Sequence, residues 1–366
     1  MVPKGTGVTL GALGLLGLVF LSAVGLTRWL CSPSSKLALL DRPTTRSLHT
    51  LPVSRTGGLA IFGGVVVGLL FGLALKGSQY SIWSDFTVAS GQAGLWILGI
   101  VLVIGVVSFW DDQTNLPVGL RLGVHALAAG GAVWGGRLTI DPIAVPFLGK
   151  VSLGWIAVPV TILFFMWMTN LYNFMDGMDG FAAGMTVLGY GFLGFLAWKG
   201  DHQFIMSLSL LIAAAAGGLL LYNLPPARIF MGDVGSVSLG FMAAALAVMG
   251  VQDDLFDVWV PLLIFSPFIV DATVTLVRRL LRGEKVWQAH REHYYQRLVL
   301  AGWGHRKTML AEYFLMVACG ITAVAYGQAG ESWRLTILLG WMVTYIVLTW
   351  GVYWVERQGR ELRAET

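Results

Sequence analysis

The chain has 366 residues, 56% of them hydrophobic and 12% charged, about half the charge fraction of an ordinary soluble domain. With a mean hydropathy of +0.72, 47 glycines and 15 tryptophans, the composition excludes a disordered, coiled-coil, collagen-like or disulfide-stapled protein and requires a polytopic membrane protein. A net charge of +4 names no nucleic acid here, because cytoplasmic loops of membrane proteins collect Lys and Arg.

A transmembrane helix needs about 20 mostly apolar residues. Eleven such stretches are predicted, at 8–29, 57–75, 93–109, 122–136, 151–169, 181–198, 204–222, 236–251, 258–277, 308–327 and 335–355. The first runs past the length of a signal-peptide core and reads as a retained helix. The spans leave two alternating sets of loops, and 18 of the 24 basic residues fall in the set containing 30–56, 110–121, 170–180, 223–235, 278–307 and the tail. That set is expected in the cytoplasm, with the N-terminus outside and the C-terminus inside. The fold class is therefore an all-α, multi-pass bundle of about eleven helices, one domain over 1–366, since no repeat or linker interrupts it. Cys31 and Cys319 are read as inert thiols, lacking any metal or redox spacing.

Four polar constellations interrupt the apolar pattern, all in the basic set of loops. FWDDQTNLP (109–117) sets Asp111 beside Asp112 where the third helix meets the membrane surface. Adjacent like charges need a cation or a basic partner, and at a helix C-terminus they oppose the macrodipole. NLYNFMDGMDGFAAG (170–184) spaces Asn170, Asn173, Asp176 and Asp179 by threes. A helix would align the last three on one face, whereas Gly177 and Gly180 favour a tight turn close to a ligand.

NLPPARIFMGDVGS (223–236) breaks a helix at Pro225-Pro226 and opens the next at Gly232-Asp233. Asp233 there is an N-cap or a ligand for a hard cation whose other ligands are phosphate oxygens. In the long basic loop 278–307, His290 and His293 share a helical face beside Arg291 and Arg297. That cluster suits a diphosphate, or a basic helix lying on anionic lipid; it is too poor in ligands for zinc. His125 and Glu312 lie within spans as bundle-facing residues, Asp271 is expected to pair with Arg278 or Arg279, and His202 and His305 read as ordinary loop residues.

In this order the motifs resemble the polyprenyl-phosphate N-acetylhexosamine-1-phosphate transferases (glycosyltransferase family 4), the group containing phospho-N-acetylmuramoyl-pentapeptide transferase and the initiators of bacterial surface polysaccharides. The resemblance is carried by DRPTTRSLHTLPVSRTGGLAIF (41–62), DDQTNLP (111–117), NLYNFMDGMDG (170–180), NLPPARIFMGDVGS (223–236) and HREHYYQRL (290–298), spread over about two thirds of the chain. It implies an active site on the cytoplasmic face of the bacterial inner membrane. There the phosphate of a polyprenyl phosphate, usually undecaprenyl phosphate, would attack the β-phosphorus of a UDP-N-acetylhexosamine with Mg²⁺ or Mn²⁺ present, releasing UMP. Carried over by motif, Asp233 would ligate the metal, and Asp111 and Asp112 would serve the lipid-phosphate end, a base role for one of them staying open. Asn173, Asp176 and Asp179 would line the nucleotide and diphosphate site, and Phe230 would wall the uracil. His290, Arg291 and His293 would contact the sugar diphosphate, with Arg46 and Arg55 as further substrate contacts; a homodimer stays open. The muramoyl-pentapeptide branch carries adjacent histidines in its last inner loop and a lysine after the paired aspartates. HREHYYQRL and Gln113-Thr114-Asn115-Leu116 resemble instead the branch that starts O-antigen and related lipopolysaccharide glycans with UDP-GlcNAc, UDP-FucNAc or UDP-QuiNAc.

Two rival classes make different demands. A secondary transporter sets its ionisable groups near the bilayer midplane between repeats, whereas these crowd at one surface. An aromatic prenyltransferase wants NDxxD-like repeats and a CDP-alcohol phosphotransferase a DGxxAR signature, and NFMDGMDGFAAG satisfies neither.

Overall fold

The computed structural model describes residues 10–32, 34–37, 39–41, 43, 48, 52–74, 91–288 and 290–364, with side chains as far as residue 361. Arg46 lies outside the described residues. The architecture is an all-α bundle: α1 (Leu10–Leu30), α2 (Gly57–Ala74), α3 (Gly91–Thr114), α4 (Val118–Gly130), α5 (Ala157–Phe174), α6 (Phe181–Lys199), α7 (Gln203–Asn223), α8 (Gly232–Gln252), α9 (Trp259–Ile264), α10 (Ser266–Leu281), α11 (Tyr294–Leu298), α12 (Gly304–Gln328) and α13 (Glu331–Ala364). Two antiparallel ribbons that the helical pattern does not reveal join them: β1 (Leu40–Asp41) with β2 (Val53–Ser54), and β3 (Ile143–Val145) with β4 (Gly149–Val151).

Among the described residues, nine helices are long and apolar enough to cross a membrane. The other two expected spans are present but interrupted. α4 passes into a π-helical turn at Gly131–Gly135, where the Gly136 N–H reaches the Gly131 carbonyl at 3.1 Å. The stretch 258–277 is divided between α9 and α10 at Phe265, because Pro267 has no N–H to offer the Leu263 carbonyl. The Ser266 hydroxyl donates to that carbonyl instead, at 2.7 Å, so the break leaves no bare acceptor in an apolar setting.

α8 is the axis of the bundle. Its sequence is small and apolar all round after Asp233, and it packs against α5, α3 and α2, while α1, α2, α6 and α7 pack on one another alongside. In lipid, helices associate through close van der Waals packing rather than hydrophobic exclusion, so small residues belong at the centre. α13 stands at the opposite extreme, its face turned to the surroundings through Trp350, Trp354, Val347 and Ile346.

The two sets of loops separate to opposite ends. At one end Lys150 pairs with Asp254 (2.5 Å), His202 with Asp253 (2.9 Å) and Arg334 with Asp257 (3.1 Å), and the Trp259 indole donates to the Ala144 carbonyl (2.6 Å). His202 is thus the first cap of α7, not a plain loop residue. All the polar motifs gather at the other end.

Candidate active site

Backbone pairing draws the first and fourth motifs together. Ser54 bridges Ile229; Phe230 N donates to the Ser54 carbonyl (2.7 Å), and Gly57 N and Gly58 N donate to the carbonyls of Phe230 (2.9 Å) and Met231 (2.7 Å). This zipper carries Arg55 onto the end of α3. The Arg55 guanidinium donates to the backbone carbonyl of Asp112, and its Nε stands 3.4 Å from Asp112 Oδ1. Phe230 is only 6% exposed, so its main chain serves the zipper while its ring offers little face to a base.

α3 continues to Thr114, which puts both aspartates inside its last turns, and the structure gives them different work. Asp111 accepts the Leu116 N–H at 2.7 Å and stands 3.4 Å from the Arg121 guanidinium, stapling the turn into α4. Both carboxylate oxygens of Asp112 are buried without a hydrogen-bond partner among the described residues.

The second motif is a turn, not a continued helix. α5 ends at Phe174, and Gly180 takes φ +73° to start α6. Asn173 donates to Asp233 Oδ1 (2.8 Å) and to the Ser236 hydroxyl (3.0 Å), and Asp176 Oδ2 accepts the Gly232 N–H (2.8 Å). Asp233 sits in the first turn of α8 rather than at its cap. Gly232 is the vertex of this arrangement: it has φ +70°, precedes Asp233, bonds Asp176, and a Cβ there would stand 3.3 Å from Asp112 Oδ2 and collide with the Arg55 carbonyl oxygen. Only glycine lets Asp112, Asp176 and Asp233 converge with Arg55. The protein packed around Asp176, and then the nearby Asp233 and Asp112 carboxylates, hold its carboxyl well above the usual carboxylate range despite the Gly232 N–H.

Asp179 turns away from this convergence. It accepts the Ala227 N–H at 3.0 Å and stands 3.0 Å from His305 Nδ1, so it ties the Pro225-Pro226 loop to α12. His305 is therefore part of the site's framework, which its position after a glycine-rich turn gave no reason to suspect. Asn223 works beside it, accepting the Gly180 N–H (3.0 Å) and donating to the Ile229 carbonyl (2.7 Å). We expect His305→Ala to lower turnover about tenfold through loss of this support. His305→Asn, whose Nδ2 can take the place of Nδ1, should restore most of it; equal defects in both variants would make His305 a packing residue only.

The last motif departs from a helical face. His290 and His293 precede α11 in extended chain, their ring centroids 4.7 Å apart, with His293 6.2 Å from the Phe174 ring. Asp271 organises the turn rather than pairing with Arg278 or Arg279: its Oδ1 lies 3.1 Å from His293 Nδ1 and accepts the Tyr294 N–H (2.9 Å), and its Oδ2 accepts the Tyr295 N–H (3.2 Å). Arg279 pairs with Glu284 and Glu292, and the Tyr295 hydroxyl donates to the Phe174 carbonyl (3.1 Å), fastening the turn to the second motif. Arg291 lines a separate cavity with Arg278 and Arg282.

His290 Nδ1 accepts the Glu292 N–H at 3.2 Å, so its neutral ring carries the proton on Nε2. Burial, then His293 and Arg279 nearby, pull its pKa from 6.5 down to about 4. An unfolded chain protonates this ring near pH 6.5 while the folded one resists to about 4, so stability present above pH 6.5 is lost as pH falls across that window. The melting temperature should drop there, and His290→Gln should flatten the drop; an unchanged slope would assign it to other groups.

Among the described residues no three His, Cys, Asp or Glu side chains form a closed protein cage for a metal. The residues do fit Mg²⁺, which takes one or two carboxylates and completes its shell with water and phosphate. Asp112 supplies two buried, unpartnered oxygens beside Asp233, an arrangement that is costly without a cation.

The profile of glycosyl transferase family 4 matches residues 94–251. The chain is 33% identical over 316 residues to a probable undecaprenyl-phosphate N-acetylglucosaminyl 1-phosphate transferase of Bacillus subtilis, covering 86% of this chain and 82% of the relative. The chain belongs to glycosyl transferase family 4. It is 30% identical over 361 residues to decaprenyl-phosphate N-acetylglucosaminephosphotransferase of Mycobacterium tuberculosis (90% and 84% covered). It is 29% identical over 237 residues to phospho-N-acetylmuramoyl-pentapeptide-transferase of Acetivibrio thermocellus (60% and 70% covered). The matched family segment contains Asp111, Asp112, Asn173, Asp176, Asp179, Phe230 and Asp233, and leaves Arg55 and the His290–His293 turn outside. This member of the family is a multi-pass membrane transferase, of the bacterial kind its relatives represent.

Proposed function

We propose that this transferase moves an N-acetylhexosamine-1-phosphate from a UDP-sugar to a polyprenyl phosphate at the cytoplasmic face of the bacterial inner membrane, beginning a cell-envelope glycan. The observation that carries the reading is the convergence of Asp112, Asp176 and Asp233 with Arg55 around Gly232, at one end of a lipid-embedded bundle whose relatives are named for this transfer. In the step, an oxygen of the lipid phosphate forms a bond to the β-phosphorus of the donor as the bond from that phosphorus to the bridging oxygen breaks, and the electron pair leaves with UMP. Asp112 and Asp233 would hold Mg²⁺, which when bound neutralises charge on the phosphate oxygens.

The protein's own part is orientation. Asn173 aims Asp233, Gly232 aims Asp176, and Arg55 fixes the end of α3 while keeping a partly exposed guanidinium at the site. His290 offers an uncharged Nε2–H to a phosphate or sugar oxygen. A lipid phosphate is already largely ionised near neutral pH, so no aspartate is needed as base. The sequence of the last loop, HREHYYQRL, favours a donor among UDP-GlcNAc, UDP-FucNAc and UDP-QuiNAc for O-antigen-type glycans.

The test is UMP release by purified protein with undecaprenyl phosphate, Mg²⁺ and a panel of UDP-N-acetylhexosamines, with and without chelator. Lipid-dependent, chelator-sensitive release with one donor is expected. Folded protein that releases no UMP with any of them would sink the reading.

A further inference from the structure

A cavity of about 680 Å³ lies between the end of α10, the 291–301 segment and the last turns of α13. None of the converging aspartates lines it. Its walls carry five arginines, Arg278, Arg282, Arg291, Arg297 and Arg360, against two glutamates. Those glutamates are already engaged: Glu292 with Arg282 (2.7 Å) and Arg278 (3.4 Å), and Glu356 with both Nε and Nη2 of Arg297 (2.6 Å each). Arg291 and Arg360 make no ion pair among the described residues, and two buried donors in the wall, Arg278 Nε and Arg297 Nη1, have no acceptor. Buried guanidinium donors without acceptors are costly unless an oxyanion completes them.

The cavity's position says which oxyanion. One wall is α13, the most outward-facing membrane-length helix, and Tyr353 and Leu300 in the lining lead onto exposed Trp350 and Trp354. Trp and Tyr of this kind mark the headgroup level of a bilayer, where basic pockets between helices take anionic lipids. A free phosphate would satisfy the arginines and leave the apolar flank unused.

We propose that this cavity binds the phosphate headgroup of an anionic glycerophospholipid from the surrounding bilayer, and that the bound headgroup braces the turn carrying His290 and His293. Arg291 is the link, since it faces the cavity from within that turn.

The test is native mass spectrometry of the full chain released from nanodiscs containing phosphatidylcholine and phosphatidylglycerol, a readout independent of turnover. The wild type should retain phosphatidylglycerol in preference to phosphatidylcholine. Arg282→Gln with Arg360→Gln should weaken that preference roughly fivefold per arginine, while the corresponding Lys pair keeps most of it. An equal melting temperature for wild type and Gln pair in phosphatidylcholine alone would establish that the variant folds. Unchanged phosphatidylglycerol retention by the Gln pair overturns the proposal. Displacement of the lipid by inorganic phosphate or UDP would also overturn it, making the cavity a site for a soluble phosphate.

Discussion

Asp112→Asn is expected to cut UMP release by about a thousandfold while leaving the protein at least as stable as the wild type. The side chain is isosteric, and both oxygens it modifies are buried without hydrogen bonds, so no native contact is lost. What disappears is an uncompensated buried charge, whose removal is neutral or stabilising by about 1 kcal/mol or more. Asp111→Asn should behave in the opposite way. Its carboxylate serves the Leu116 N–H and Arg121, so that variant should lose about 1 kcal/mol of stability and much less activity. Thermal unfolding and UMP release on both variants separate the two neighbours. Full release by folded Asp112→Asn protein would remove this residue from the chemistry.

Gly232→Ala is expected to lose at least about a hundredfold in activity together with a lowered melting temperature. A non-glycine residue at φ +70° costs about 1–2 kcal/mol by itself. The added methyl also meets the Arg55 carbonyl, a backbone atom that cannot rotate aside, because Ser54 and Gly57 on either side of it are bonded to Phe230. The loop must therefore shift, carrying Asp233 away from Asp112 and breaking the bond to Asp176, and a misplacement of about 1 Å in such a site costs about two orders of magnitude. Gly191→Ala in α6, where a methyl meets nothing within 4 Å, is the matched control and should stay active. Wild-type activity in Gly232→Ala would show that the acids need not converge there.

Much of this architecture is legible in the sequence because lipid imposes a simple code. Apolar runs of membrane length give the spans, and the alternation of basic and neutral loops sorts the motifs onto one end, where the described residues do gather. The same reading overlooks the breaks at Gly131 and Phe265, since hydropathy is indifferent to where backbone hydrogen bonding fails.

The sequence by itself determined a helical membrane bundle and a set of acids, amides and histidines at its loops, because composition and hydropathy act locally along the chain. Only the tertiary structure decided which of them cooperate. It alone distinguishes an ion-paired Asp111 from an unpartnered Asp112, joins His305 to Asp179 across 126 residues and Asp271 to His293 across 22, and sets Arg291 among the arginines of a separate cavity. The reason is physical: a carboxylate's role depends on the donors, charges and protein atoms that surround it, and these arrive from helices far apart in the chain.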